Sequence, residues 1–172
     1  IGYALIYTAF LKRATPQNIV IGGVAGAAPP LLGWVAITGQ ITPEPLLLML
    51  IIFAWTPPHF WALAIHKRDD YARAGIPMLP VTHGIPFTRL QIWLYAWLTV
   101  LTTLLPVMIG MSGALYLFIV VCLNARFMVW NWRVWRGQDP AAPIGAFWFS
   151  IRYLLAVFGA LILDHYAATL VW

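Results

Sequence analysis

The sequence is short of charge. Only 9% of its 172 residues are Asp, Glu, Lys or Arg, against about 25% in an ordinary soluble domain. Acids are scarcest, five against ten Lys and Arg, while 62% of the chain is hydrophobic. A water-borne fold of this size could not hide so much apolar surface behind so few charges, so that class is excluded. The single cysteine, Cys122, excludes a disulfide framework and a Cys-rich metal site, and is read as a small core or lipid-facing residue. Internal repeats, low-complexity tracts and soluble linkers are absent too, which excludes a repeat array.

What is abundant is uninterrupted apolar chain. Residues 14–43, 45–65 and 90–125 hold no charged side chain, and a helix needs about 20 apolar residues to cross about 30 Å of hydrocarbon. The third run is too long for one span, and Pro106, Gly110, Ser112 and Gly113 divide it. The reading is an all-α polytopic transmembrane helix bundle. The end of one helix is expected at residues 1–11, with full spans near 18–38, 45–66, 88–110, 113–135 and 144–165. A barrel is excluded, because barrel strands alternate in segments of about ten residues. The chain opens inside an apolar stretch without an initiator Met, and is read as the C-terminal part of one longer transmembrane domain.

Basic residues sort by loop. Lys12 and Arg13, then Lys67, Arg68, Arg73 and Arg89, then Arg133 and Arg136 flank alternate connections, whereas the loops around Gln40 and Ser112 carry none. The positive-inside bias places loops 12–17, 67–87 and 136–143 in the cytoplasm and the C-terminus outside. Arg126, near a cytoplasmic end, is expected to snorkel. Arg152 lies within the last span and must face the bundle or snorkel, toward a substrate carboxylate or a structural partner.

Three stretches carry candidate chemistry. Loop 67–87 mixes Lys67, Arg68, Asp69, Asp70 and Arg73 with apolar Ile76, Met78, Leu79 and Val81. A solvated connector does not need those apolar residues, so the loop is expected to fold over a cavity mouth, the alternative being an amphipathic loop on the headgroups. Asp69 and Asp70 could hold Mg²⁺, which uses one or two carboxylates plus substrate phosphates, or merely pair with the neighbouring cations. Before the loop, Trp55, His59 and His66 share a helical stripe beside Pro57 and Pro58. An intramembrane His is either a functional group or a hydrogen-bonded interhelical residue; His66 is read as interfacial. Lastly, Lys12 and Arg13 precede Thr15 and Asn18 at a helix entrance, a group able to grip a diphosphate or to act as a capped basic anchor. The span after it carries Gly22-xxx-Gly26, read first as a helix-packing signal.

These residues fall into blocks: Tyr7-Thr8 with Leu11-Lys12-Arg13-Ala14-Thr15 and Asn18, then Ala25-Gly26-Ala27 with Pro29-Pro30, and Gly33-Trp34. Further on come Trp55 with Pro58-His59-Phe60, Asp70-Tyr71 with Gly75-Ile76-Pro77-Met78-Leu79-Pro80-Val81, and Phe149-Ser150-Ile151 with Tyr153-Leu154 and Asp164-His165. Together they resemble the protoheme IX farnesyltransferase (heme O synthase) branch of the UbiA-type intramembrane prenyltransferases, from about Tyr7 to Tyr166. The resemblance implies a nine-helix bundle open to the cytoplasm, of which this chain would supply the end of the fourth helix through the ninth. It implies transfer of a farnesyl group from farnesyl diphosphate to a vinyl group of heme B, a substrate here and not a resident cofactor, in a bacterial-type inner membrane. The product would serve heme–copper terminal oxidases, with oxidase-assembly proteins as further partners and no nucleic acid.

By the same resemblance Asp70, Tyr71, Lys12 and Arg13 are the catalytic candidates. His59, Trp55, Asn18, Lys67, Arg68 and Arg73 would bind substrate, and Asp70 with Asp69 would hold Mg²⁺, completed by ligands from the preceding part of the protein. The family's Asp-xxx-Asp is not kept, since Ala74 stands four residues after Asp70 and Arg73 four after Asp69. Trp55, Trp61 and Tyr71 are candidates to stabilise an allylic cation. A sister enzyme acting on a quinone precursor or chlorophyllide, and a non-catalytic heme-handling oxidase-assembly protein, are the alternatives. The 172-residue chain alone is expected to be inactive.

Overall fold

The computed structural model describes residues 18–170, with side chains through residue 167. Eight helices follow in order: α1 (Asn18–Ala27), α2 (Pro29–Thr38), α3 (Pro43–His66), α4 (Arg68–Arg73), α5 (Leu79–Thr82), α6 (Gly84–Met108), α7 (Ala114–Arg136) and α8 (Ala142–Leu170). No strand occurs among the described residues. Five segments are long and apolar enough to cross a membrane, and α1 with α2 makes one of them. The all-α expectation therefore holds, with span ends shifted by a few residues. The expected stub at 1–11 lies outside the described residues.

Proline explains most of the shifts. Its missing N–H is harmless in a first helical turn, so α3 starts at Pro43 rather than 45, and Pro29-Pro30 restart the first span as α2. Gly39 and Gly137 end α2 and α7 in the left-handed conformation that glycine adopts without penalty. A Cβ at Gly137 would also meet the Arg89 guanidinium, the far end of a flexible side chain that can move aside. Loop 67–87 is more regular than expected, containing α4 and α5, and α6 begins at Gly84 instead of 88.

Pro57 and Pro58 sit inside α3 without ending it. Pro58 cannot donate to the carbonyl of Ala54, four residues back. The Thr99 hydroxyl of α6 reaches that carbonyl instead, at 3.0 Å, sharing its one proton with the Tyr95 carbonyl at 2.8 Å. This is the repair by a neighbouring hydroxyl that lets proline persist in a spanning helix.

Helices α3, α6, α7 and α8 form a closed ring, each packed on the next and α8 back on α3, while α1 and α2 pack on α3. Small and aromatic residues fill the ring: Ile51 of α3, Ala96 of α6, Tyr116, Val120 and Phe127 of α7, and Tyr153 and Val157 of α8. Its buried polar groups bond across helices. Tyr116 donates to the Thr103 carbonyl at 2.7 Å, Asn124 Nδ2 to the Thr103 hydroxyl at 3.1 Å, and Tyr153 to Asn124 Oδ1 at 2.6 Å. At the far end, Asp164 of α8 accepts the free N–H groups of Gly113 (2.7 Å) and Tyr116 (3.1 Å), capping α7 from another helix. Large apolar side chains such as Leu32, Leu101, Phe118 and Leu155 point outward, as a lipid-facing surface requires. Cys122 and Arg126 are exposed on it, and so is Arg152, which does not face the ring.

Candidate functional site

A cavity of about 420 Å³ lies between α1 and α3, beneath the 67–87 segment. One wall is the glycine face of α1, Gly22 and Gly26; the other is Ile52, Trp55, Thr56 and Phe60 of α3. A Cβ on Gly26 would meet nothing within 4 Å among the described residues, whereas one on Gly23 would stand 3.2 Å from the Thr56 methyl. The close helix contact assigned to Gly22-xxx-Gly26 thus falls at Gly23, and Gly26 leaves room in the cavity. Tyr71, Ile76 and Met78 close the mouth. Met78, Leu79 and Pro80 are buried, so the loop does fold over a cavity.

Of the polar candidates on this side, Asn18 and Tyr71 line the cavity, while Lys67, Arg68, Asp69, Asp70 and Arg73 lie on the same 67–87 segment outside its lining. Asn18 is buried, with its Nδ2 3.7 Å from Met78 Sδ. Arg68 Nε donates to the Pro80 carbonyl at 3.1 Å, tying α4 to α5. Asp70 accepts from Arg73 and lies 3.4 Å from Lys67 Nζ. These two cations, Arg73 foremost, hold its carboxyl below the usual carboxylate range, so it stays ionised at neutral pH. Asp69 is exposed. Lys12 and Arg13 lie outside the described residues.

For Mg²⁺ the fit is that of half a site. The ion keeps several waters and takes one or two carboxylates with phosphate oxygens, a role that Asp70 and Asp69 have the chemistry for. Among the described residues no third potential ligand joins them.

Other candidates lie away from this cavity or at its edge. His59 is buried and does not line this cavity. Its ring is stacked between Trp55 (4.3 Å) and Phe147 of α8 (4.6 Å), and its Nδ1 lies 2.7 Å from Ser150 Oγ. His66 is exposed at the helix end, where an interfacial residue belongs. Trp61 is buried against Tyr95 on α6, away from the cavity. Trp55 does line the cavity, while its Nε1 donates to the Ser150 carbonyl at 2.9 Å. The Pro58-His59-Phe60 and Phe149-Ser150-Ile151 blocks, far apart in sequence, therefore meet behind the cavity wall. Phe60, Thr56 and Ser150 are site residues that sequence reasoning did not single out. The blocks contained all but Thr56, but only folding reveals that they adjoin.

The apolar cavity thus lies within a bundle of apolar spans, beneath a segment bearing carboxylates and cations. The chain belongs to the UbiA prenyltransferase family, which it matches over residues 1–164. It is 63% identical over 166 residues to a protoheme IX farnesyltransferase 1 of Pseudomonas putida, covering 96% of this chain and 56% of that protein. A protoheme IX farnesyltransferase of Azotobacter vinelandii is 61% identical over the same shares. The chain thus spans about half the length of the curated relatives it matches. No solved structure matches it.

Proposed function

We propose that the complete protein transfers a farnesyl group from farnesyl diphosphate to a vinyl group of heme B, forming heme O. The observation that carries this reading is the identity of 63% across 96% of the chain to a protein of that name. The C1–O bond to diphosphate breaks, the vinyl carbon bonds to the farnesyl cation, and water adds a hydroxyl with loss of a proton.

The cavity and the charged segment above it each suit a requirement of this reaction. Lys67, Arg68 and Arg73, with Lys12 and Arg13, bind the diphosphate and stabilise the charge it gains on leaving. Mg²⁺, held by Asp70 and Asp69 with ligands from the rest of the protein, would supply further charge neutralisation to that leaving group. The apolar space between α1 and α3 takes the prenyl chain and keeps water from the cation. Tyr71 and Trp55 present π faces to it, and Asn18 bonds a polar group of the bound substrate. His59 serves the porphyrin from the α8 side.

The protein is integral to the membrane; a bacterial inner membrane, with α4 and α5 on the cytoplasmic side and the C-terminus outside, fits the basic residues gathered at that end. Heme–copper oxidases would consume the product, with oxidase-assembly proteins as partners. The test is full-length protein in membranes with heme B and farnesyl diphosphate, read by mass spectrometry of extracted hemes. Formation of heme O is expected. Prenylation of a quinone precursor or of chlorophyllide instead, or heme binding without turnover, would overturn the reading.

A further inference from the structure

The environment of His59 determines which ring nitrogen carries its proton. Ser150 Oγ lies 2.7 Å from the Phe147 carbonyl oxygen and 2.7 Å from His59 Nδ1. A hydroxyl has one proton, and a carbonyl can only accept. Two oxygens at 2.7 Å with no proton between them repel, so the hydroxyl proton belongs to Phe147. The Ser150 oxygen then faces His59 as an acceptor, and Nδ1 must be the donor. An imidazolium buried between two aromatic rings would need an anion, and no carboxylate bonds to His59 among the described residues. The ring is therefore neutral, and its one proton is on Nδ1. Nε2, on the far edge, keeps its lone pair.

We propose that Ser150 is a positioning residue that fixes His59 in the Nδ1–H tautomer, so that Nε2 is offered as an electron-pair donor to the iron of a metalloporphyrin. Three further contacts support a site prepared in advance. Trp55 Nε1 holds the Ser150 carbonyl, fixing the backbone from which the hydroxyl projects. Stacking on Trp55 and Phe147, with interplanar angles of 16° and 20°, fixes the plane of the ring. Metal-binding imidazoles share this arrangement, one nitrogen donating to a protein oxygen and the other left to the metal. Neutral imidazole is a good ligand for iron. The tautomer follows from the geometry alone. Only the identity of the ligand rests on the heme reading above.

Two measurements on the full-length protein separate those parts. In the first, the imidazoles are ¹⁵N-labelled and the heme-free protein is read by NMR. His59 should show a protonated Nδ1 and a bare Nε2, with Ser150→Ala mixing the tautomers and Ser150→Thr restoring them. A wild-type ring protonated at Nε2 overturns the proposal. In the second, iron protoporphyrin IX is titrated and followed by its Soret band and low-spin resonance. Ser150→Ala should weaken binding by about 10- to 100-fold, the scale for a lost partner of a ligating His, while farnesyl diphosphate affinity is unchanged. Ser150→Thr should recover most of the loss, and His59→Ala should abolish the imidazole-ligated signature. Heme O formation by the wild type is measured in parallel. Its absence defeats the proposed reaction, whereas intact turnover with a heme spectrum indifferent to His59→Ala overturns the iron ligand alone.

Discussion

Asp70 and Asp69 are neighbours in sequence with different surroundings. Asp70 is held by Arg73 and Lys67, whereas Asp69 is in neither pair. Asp70→Asn in the complete protein should lower kcat by about 100-fold or more, the scale for lost transition-state electrostatics, and Asp69→Asn clearly less. Equal, mild losses would reduce the pair to a solvated ion cluster. The acid side of the pH profile follows from the same contacts. A carboxylate whose pKa is depressed keeps its charge until the pH falls through that lowered value, and is lost below it. Arg73→Ala removes the largest cause of the depression, so the acid limb of kcat/KM should move to higher pH. The carboxylates and cations were legible in the sequence because charge is so scarce there. The Ser150–His59 contact was not, because helical spacing orders residues along one helix and says nothing of which helix lies opposite.

At the scale of the helix, the spans were legible because lipid demands length and apolarity, both of which are written in the sequence. Their ends were not, since Pro43 and Gly84 enter helices where loop was expected. The pairing of Pro58 in α3 with Thr99 in α6 was equally hidden, because the freed carbonyl and the hydroxyl that satisfies it are 45 residues apart. Thr99→Val should strand that carbonyl. Interhelical side-chain bonds in membranes average about 0.6 kcal/mol and reach about 1.7, and this one should fall near the average because the Thr99 hydroxyl is shared with the Tyr95 carbonyl at 2.8 Å. Unfolding in mixed detergent micelles measures the loss, and a neutral result would mean that the ring relaxes to satisfy Ala54 otherwise.

For the whole molecule, the Asp164 contact joins the two ends of the chain order α7 to α8 at the face opposite the cavity. Removing an N-cap costs about 0.5–2 kcal/mol, so Asp164→Ala should destabilise the ring by that amount while leaving farnesyl diphosphate affinity intact. A matched fall in affinity would instead tie that face to the site. The two walls of the cavity differ in a way that bears on chain length. One is α3, locked into the closed ring, and the other is α1, where a Cβ on Gly26 would meet no described residue. Methyl groups can be added at Gly26 without disturbing a neighbour, each one subtracting directly from the room for a hydrocarbon tail. Gly26→Val should therefore turn the protein away from a fifteen-carbon donor toward a ten-carbon one, so that a single position on the looser wall serves as the ruler by which such a protein could be retuned for a shorter isoprenoid.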